Sequence, residues 1–212
     1  IADKGGLCAL VDVDHSKVEA AATMCGSNAK GYACNITQET EVEAVFDQVL
    51  TDFGRLDGLI NNAGLLRDAM LIKFKQGELQ EKMSLSQWQS VIDVNLTGTF
   101  LCGREGAAAM AKADNGGVII NISSIAKAGN MGQSNYAASK AGVAALVTTW
   151  AGELKRFGIR VAGIAPGVMA TDMTEAMKPE ALERIKKVIP LGRLGARNEL
   201  ADVAIFIIEN DY

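Results

Sequence analysis

The chain has 212 residues, of which 49% are hydrophobic, so one domain with a substantial core is expected over residues 1–212. The formal net charge is −4 and the basic residues are scattered, which argues against a nucleic-acid partner. No stretch approaches the roughly 20 apolar residues of a membrane-spanning helix, and the first residues do not resemble a signal segment. We therefore expect a cytoplasmic protein without a membrane partner.

Short runs of valine, isoleucine and leucine alternate with longer helical patterns. The candidate strands lie at 7–13, 31–34, 56–61, 118–122 and 159–164. These runs are almost wholly apolar, as is typical of parallel strands that are covered on both faces. The pattern predicts a single α/β domain with a doubly wound, Rossmann-like parallel sheet.

The intervening helices carry recognisable start signals. Ser16 with Glu19, and Ser84 with Gln87, have the spacing of a capping box. The second box would begin a helix that reaches towards Lys112, and an alanine-rich helix is expected over 134–157. Tandem helices from about Pro179 complete the expected order.

Residues 71–82 interrupt the alternation around Gln76 and Gly77, which predicts a small surface hairpin. Two interpretations of this hairpin stay open. It shapes the substrate pocket, or it is a surface insertion of no consequence.

The first chemical signal is the pair Tyr136 and Lys140, whose spacing places both side chains on one face of a helix. The spacing alone would fit an ordinary packing pair. However, strand 118–122 ends in Ser123 and Ser124, and ligands bind at the carboxyl ends of strands in such sheets. The context favours a catalytic site. Only one histidine, His15, is present and the four cysteines have no C-x-x-C spacing, so neither a metal site nor a histidine-based triad is expected.

Four motifs occur in a characteristic order: Asn61-Asn62-Ala63-Gly64, Asn121-Ile122-Ser123-Ser124, Tyr136-x-x-x-Lys140 and Pro166-Gly167. In this order and at these separations, the chain resembles the short-chain dehydrogenases/reductases over nearly its whole length. The local sequence around Arg67-Asp68 and Gln133-Ser134-Asn135 is most similar to the 3-oxoacyl-[acyl-carrier-protein] reductase branch, which acts in fatty acid biosynthesis.

The resemblance implies a separate role for each of four catalytic residues. Tyr136 would donate a proton to the substrate carbonyl, and Lys140 would stabilise the phenolate and hydrogen-bond the nicotinamide ribose. Ser124, rather than Ser123, would donate to the carbonyl oxygen as negative charge develops there. Asn95 would hold a water that links the lysine to solvent; alternatively, or in addition, it bends a long helix by bonding to its own backbone.

The resemblance also assigns residues to a nicotinamide cofactor. Asp12 ends an apolar strand, where a carboxylate accepts hydrogen bonds from the adenosine ribose and repels a 2′-phosphate. This favours NAD(H), with NADP(H) possible, unless Asp12 only caps the next helix. The other implied positions are Asn35 and Ile36 at the adenine, Asn62, Ala63 and Gly64 at its ribose, and Pro166, Gly167, Val168 and Thr171 near the nicotinamide and phosphates.

One part of the family pattern is missing. No glycine-rich loop that would cradle a pyrophosphate occurs in the sequence, and Asp12 lies too near Ile1 for such a loop to precede it. We expect the natural protein to begin earlier, with a first strand and that loop, and to end with one further strand after Tyr212.

The implied substrate is a small molecule or an acyl thioester, carried by acyl carrier protein or coenzyme A, and the implied product of reduction is the 3-hydroxyacyl thioester. A dehydrogenase of hydroxysteroids, hydroxyacyl-CoA or polyols is the alternative, followed by a nucleotide-binding protein without turnover. Residues 169–190 are the candidate lid. The long helices resemble those through which relatives form dimers and homotetramers. A basic patch for an acidic carrier has the candidates Arg67, Arg104, Lys127, Arg156 and Arg160.

Overall fold

The computed structural model describes residues 1–171, 174, 177 and 179–211. Over these residues the chain alternates strands and helices, which confirms the α/β class. The strands are β1 (Cys8–Asp12), β2 (Ala29–Ala33), β3 (Gly58–Asn61), β4 (Ile72–Lys75), β5 (Glu78–Lys82), β6 (Gly117–Ile122) and β7 (Ile159–Ile164). The helices are α1 (His15–Cys25), α2 (Glu39–Phe53), α3 (Leu85–Ile92), α4 (Thr99–Ala113), α5 (Ser134–Leu154), α6 (Pro179–Val188) and α7 (Arg197–Glu209).

The parallel strands form two separate sheets. β1 pairs with β2, whereas β3, β6 and β7 form a three-stranded sheet with β6 in the centre. Within the described residues no ladder joins the two sheets, and Val11 on β1 is 40% exposed despite its apolar side chain. The two sheets are separate where the first strand of the family pattern would be expected. That residues outside 1–212 supply this strand stays a prediction.

The apolar character of β6 follows from burial on both of its faces. Ile119 packs with Met110 of α4 and Trp150 of α5, whereas Val118 and Ile120 pack on the opposite side, in the cluster that contains Ala204 of α7. Helices therefore cover both faces of β6. Because β3, β6 and β7 are parallel, their carboxyl ends lie together at one edge of the sheet.

The long helix predicted from Ser84 is present but is not uniform. Ser84 and Gln87 form the expected capping box at the start of α3. Between α3 and α4 the chain makes a π-helical turn over Asp93–Gly98, which the sequence analysis did not predict. Such turns recur at functional sites because they introduce an extra residue into a helix.

Two local predictions have different outcomes. The first capping box is wrong: Asp14 caps α1 by accepting from the Lys17 N–H, and the Ser16 hydroxyl donates to the Asp14 carboxylate. The hairpin around Gln76 and Gly77 is confirmed as β4 and β5, with both turn residues in the left-handed region. Every residue of its two strands is exposed, and its influence on the pocket stays a prediction.

Helix length and hydropathy bear on the membrane question. Among the residues described, no helix is both long enough and apolar enough to cross a bilayer.

Candidate active site

Tyr136 and Lys140 lie on the first turns of α5, where the helix passes the carboxyl end of β6. Lys140 is only 4% exposed, and its ammonium donates to the Ile122 carbonyl at 2.8 Å. The same Nζ lies 5.7 Å from the centre of the Tyr136 ring. The predicted pair is therefore assembled on one helix face, with the lysine buried beneath the half-buried tyrosine.

The two serines at the end of β6 have different environments. Ser123 is buried and its hydroxyl donates to the backbone carbonyl of Lys140 at 2.7 Å, so it joins the strand to α5. Ser124 is half-buried; its hydroxyl accepts from the Ala126 N–H at 3.1 Å and lies near enough to the Tyr136 phenol to lower the pKa of that phenol. Of the two hydroxyls, the one placed beside the phenol is that of Ser124.

The pKa of Tyr136 differs from the sequence-based expectation. Burial raises this pKa, the hydrogen bond with Ser124 lowers it, and the negative charge of Asp68 raises it again, with a net upward shift. Burial also lowers the pKa of the neighbouring Lys140, to about 8. In this structure the phenol is held in its protonated form.

Asn95 lies in the π-helical turn and is fully buried. Its Oδ1 accepts from the Leu65 N–H at 2.8 Å, and its Nδ2 donates to the Leu65 carbonyl at 3.1 Å and to the Ser139 hydroxyl at 3.2 Å. The side chain thus bonds to the loop after β3 and to α5. The alternative in which it bonds to its own helix backbone is wrong, because Leu65 occupies both ends of the amide.

Two neighbours of the tyrosine were missed by sequence reasoning. The amide nitrogen of the buried Asn135 donates to the carbonyls of Arg67 and Gln87, and its oxygen accepts from the Tyr136 N–H. Ser139 donates to the Tyr136 carbonyl at 2.8 Å. Both residues lie in the segment from Gln133 to Lys140. Their roles depend on partners that lie 44 to 68 residues away or within the helix itself, which the sequence alone does not reveal.

The residues assigned to the adenosine side lie at the ends of β1 and β2. The exposed carboxylate of Asp12 accepts from the Asp14 N–H at 2.9 Å, and the interpretation that it caps α1 is wrong because Asp14 does so. Asn35 accepts from the Thr37 N–H and hydroxyl, which forms a tight turn after β2. The Ile36 side chain packs against Gly98, where an added Cβ would come within 2.7 Å of it.

The loop after β3 brings backbone close to the catalytic pair. Asn62, Ala63 and Gly64 are exposed. A Cβ at Gly64 would lie 3.3 Å from Asn95 Oδ1, closer than an ordinary contact, and 3.6 Å from Lys140 Nζ, so a larger residue there would crowd the amide and fill the space beside the ammonium. The loop therefore forms one wall of the space above the lysine.

The loop after β7 forms another wall. The Pro166 carbonyl accepts from the Ile125 N–H, immediately after Ser124, and a Cβ at Gly167 would meet nothing within 4 Å. Val168 accepts from the Gly195 N–H, and the Thr171 N–H donates to Thr174. Residues 172, 173, 175, 176 and 178 of the predicted lid lie outside the described residues.

The structure therefore brings Asn95, Ser124, Tyr136 and Lys140 to one sheet edge, with Gly64 beside them. Asp12 and Asn35 belong to the other, two-stranded sheet. A buried ammonium, a protonated phenol and a serine hydroxyl in contact with it can bind and protonate a carbonyl oxygen.

The chain is similar over most of its length to proteins of known family. The family model described as enoyl-(acyl carrier protein) reductase matches residues 1–212. A 3-oxoacyl-[acyl-carrier-protein] reductase of Thermotoga maritima is 41% identical over 85% of this chain and 70% of its own length. Proteins with the same function in their names from Synechocystis and Escherichia coli are 42% and 35% identical, over 86% and 88% of this chain and 69% and 72% of their own lengths.

An α/β fold with a tyrosine and lysine at a strand end defines the class of protein as a nicotinamide-dependent oxidoreductase. The chain belongs to the short-chain dehydrogenase/reductase family.

Proposed function

We propose that this protein reduces 3-oxoacyl thioesters to 3-hydroxyacyl thioesters. The observation that carries the proposal is that the Ser124 hydroxyl and the Tyr136 phenol lie together at the end of β6, above the buried Lys140. The names of the relatives from Thermotoga, Synechocystis and Escherichia supply the substrate class.

In this mechanism the substrate carbonyl oxygen takes hydrogen bonds from Ser124 and Tyr136. As that oxygen becomes an alkoxide, the Tyr136 O–H bond breaks and the proton passes to it. Ser124 stabilises the developing negative charge, and the Lys140 ammonium stabilises the phenolate that remains. In the reverse direction the phenolate accepts the proton of the alcohol.

The described residues fit the nicotinamide end of a dinucleotide. Gly64 keeps the space beside Lys140 open, since a Cβ there would approach Nζ within 3.6 Å, and the position of a Cβ on Gly167 is unobstructed. When bound, the nicotinamide supplies the hydride that attacks the carbonyl carbon. Lys140 would bind the adjoining ribose, and Pro166, Val168 and Thr171 the carboxamide and phosphates.

For the other end of the cofactor, the proposal favours NAD(H) over NADP(H). The exposed Asp12 carboxylate ends β1, and its charge opposes a 2′-phosphate. Titration of the full-length protein with NADH and with NADPH tests this choice. Tighter binding of NADPH would contradict the role given to Asp12, and Asp12→Ser should narrow any preference for NADH.

An acyl chain also suits the surroundings of the phenol. Large apolar side chains stand exposed beside the site: Ile125 follows Ser124 and is 59% exposed, and Met131, in the loop before α5, is 83% exposed. Met70 is 45% exposed, and its sulfur lies 3.9 Å from the Cβ position of Gly132. We assign these three side chains, the apolar rim, to the acyl chain.

Among the basic candidates for a carrier contact, three have carboxylate, ring or distant carbonyl partners, and Arg67 donates to the carbonyl of its neighbour Leu66. Arg104 forms ion pairs with Glu39, Glu43 and Glu105, Arg160 donates to the carbonyls of Ile207 and Ile208, and Arg156 stacks on Phe157. Arg67 and Lys127 are exposed and flank the site on the loops that contain Asp68 and Ser124. We assign the acidic carrier to these two cations.

The deciding experiment is reduction of acetoacetyl thioester by the full-length protein, compared with crotonyl thioester and with a set of free secondary alcohols. We expect turnover of acetoacetyl thioester. Turnover of crotonyl thioester alone would favour enoyl reduction, the activity in the family description, and turnover of free alcohols alone would favour a different dehydrogenase. Either result would overturn the proposal.

A homo-oligomer is part of the proposal. An open groove of about 330 Å³ lies between α4 and α5. It is lined mostly by apolar and small residues, including Phe100, Gly103, Ala107, Trp150 and Phe157. Sedimentation of the wild type and of Phe100→Glu, with Phe74→Glu on the hairpin as the control, tests association through this face. A monomeric wild type at micromolar concentration would refute it. A cytoplasmic location stays a prediction.

A further inference from the structure

The loop after β3 is tied to the loop before α5 on the open side of the tyrosine. The Ala69 N–H donates to the Gly132 carbonyl at 2.9 Å. Beside this bond, Gln133 Nε2 donates to Asp68 Oδ2 at 2.9 Å, and Asn130 Nδ2 donates to Gln133 Oε1 at 2.8 Å. The Asp68 carboxylate is therefore held at the entrance of the site by a chain of two amides.

This tether acts at the start of the catalytic helix. Gln133 is the residue before α5, and its carbonyl accepts from the Ala137 N–H at 2.8 Å, next to Tyr136. The Asp68 charge is close enough that it raises the pKa of Tyr136, after burial and the opposing bond with Ser124. The carboxylate thus has both a fixed position and an electrostatic effect on the phenol.

Few other charges face this phenol among the described residues. Lys140 lies below it on α5, Arg67 precedes Asp68 on the same loop, and Lys127 is on the short helix Ile125–Ala128 after Ser124. α3 contains no titratable side chain. Asp68 is the one acidic group in this set, and its charge raises the pKa of the phenol.

We propose that Asp68, held by Gln133, is a positioning residue that keeps Tyr136 in its proton-donating form and so extends carbonyl reduction to higher pH. The proposal rests on the proposed function for the direction of proton transfer. In each turnover the Tyr136 O–H bond breaks and the O–H bond of the alcohol forms, while Asp68 touches neither group.

The sign of the effect follows from the charge. A neutral residue at position 68 removes a repulsion of the phenolate, so the pKa of Tyr136 falls. Reduction requires the protonated phenol, so the part of the alkaline decline of kcat/KM that belongs to Tyr136, above the loss of the Lys140 ammonium at about pH 8, should move to lower pH. Oxidation requires the phenolate, so its rise should also move to lower pH. A purely structural loss would lower both rates at every pH and leave both midpoints in place.

The experiment is the pH profile of kcat/KM in both directions for the full-length wild type, Asp68→Asn, Asp68→Glu and the exposed surface control Asp47→Asn. We expect Asp68→Asn to move both midpoints down by about 0.5 to 1 pH unit. Asp68→Glu, which keeps the charge, and Asp47→Asn should follow the wild type. Unmoved midpoints in Asp68→Asn would overturn the proposal.

A second readout requires no substrate. The chain has three tyrosines, so NMR titration of protein with ¹³Cζ-labelled tyrosine resolves each phenol, and Tyr136→Phe assigns the relevant signal. The Tyr136 midpoint should fall in Asp68→Asn even if 3-oxoacyl thioesters prove not to be substrates, which separates the two failures. If Asp68→Asn does not fold, Gln133→Met, which releases the carboxylate, should shift the midpoint in the same direction by less; no shift there would refute the role.

Discussion

The two parallel sheets hold their site residues in different ways. At the end of β6, hydrogen bonds hold the proposed catalytic side chains to distant segments, as Asn95 joins Leu65 to Ser139. At the ends of β1 and β2, Asp12 and Asn35 accept from backbone N–H groups two residues ahead. The catalytic half is fixed by tertiary structure, whereas the adenosine half is fixed by local turns.

The difference matters for chemistry because the two halves have different tasks. Proton transfer requires atoms placed within tenths of an ångström, and buried networks supply that rigidity. Recognition of a ribose requires only acceptors on an accessible edge. Substitutions should therefore reduce catalysis in the first half and binding in the second.

The largest effect should come from the phenol itself. Tyr136→Phe removes the proton donor without changing the ring, so kcat for reduction should fall by about 1,000-fold. Steady-state kinetics of the full-length protein measure the loss, with the thermal unfolding midpoint and nucleotide binding as controls that should not change. A loss of less than tenfold would mean that another group donates the proton.

Stability should distinguish the two halves directly. Asn95→Ala leaves the partly buried N–H and carbonyl of Leu65 and the buried Ser139 hydroxyl without this partner, and should lower the free energy of unfolding by about 2–4 kcal/mol. Asp12→Ala removes one exposed acceptor and should cost less than about 1 kcal/mol. Urea denaturation of both variants makes the comparison, and equal costs would contradict the distinction between the halves.

The buried lysine should make stability depend on pH. The pKa of Lys140 is about 8 in the folded protein, against about 10.4 when unfolded, so the unfolded chain binds more protons between these values. Stability should therefore rise with pH across this window, by up to about 3 kcal/mol. Denaturation at pH 7.5 and at pH 10 should show this rise in the wild type but not in Lys140→Met. Parallel pH dependence would contradict it.

The smallest effect concerns the apolar rim. Met131→Ser should lower kcat/KM for long 3-oxoacyl thioesters about two- to fivefold while leaving the acetoacetyl thioester nearly unchanged, because only the longer chain reaches that side chain. A chain-length series provides the measurement. Met24→Ser, at an 89% exposed position on α1, is the matched control. A uniform loss for all lengths would remove Met131 from the acyl-chain site.

Much of the fold was predictable because its signals are local. Apolar runs mark β6 and β7 since both are covered by helices, and Gln76-Gly77 marks the hairpin since both residues adopt left-handed backbone. Capping signals were less specific. Ser16 and Glu19 have the spacing of a capping box, but Asp14, two residues before Ser16, is also a good capping residue, and it accepts from the Lys17 N–H instead.

The site was predictable only in part. Motif spacing identifies Tyr136 and Lys140, whereas the roles of Asn135 and Asp68 depend on contacts that link segments 48 to 68 residues apart. The direction of the pKa shift at Tyr136 was also unpredictable, because it depends on burial and on a carboxylate whose position only the folded chain determines.

The π-helical turn at Asp93–Gly98 has a consequence for insertions and deletions. Each residue advances an α-helix by about 100°, so removal of one residue here would regularise the backbone and rotate α4 relative to α3 by that angle. After such a deletion, Asn95 could keep its hydrogen bond with Leu65 only if Arg104 lost its ion pair with Glu39 on α2. The extra residue in the π-helical turn therefore fixes the rotation of α4 about the helix axis relative to α3. A homologue that lacks this residue would need other contacts in place of either the Asn95–Leu65 bonds or the Arg104–Glu39 ion pair.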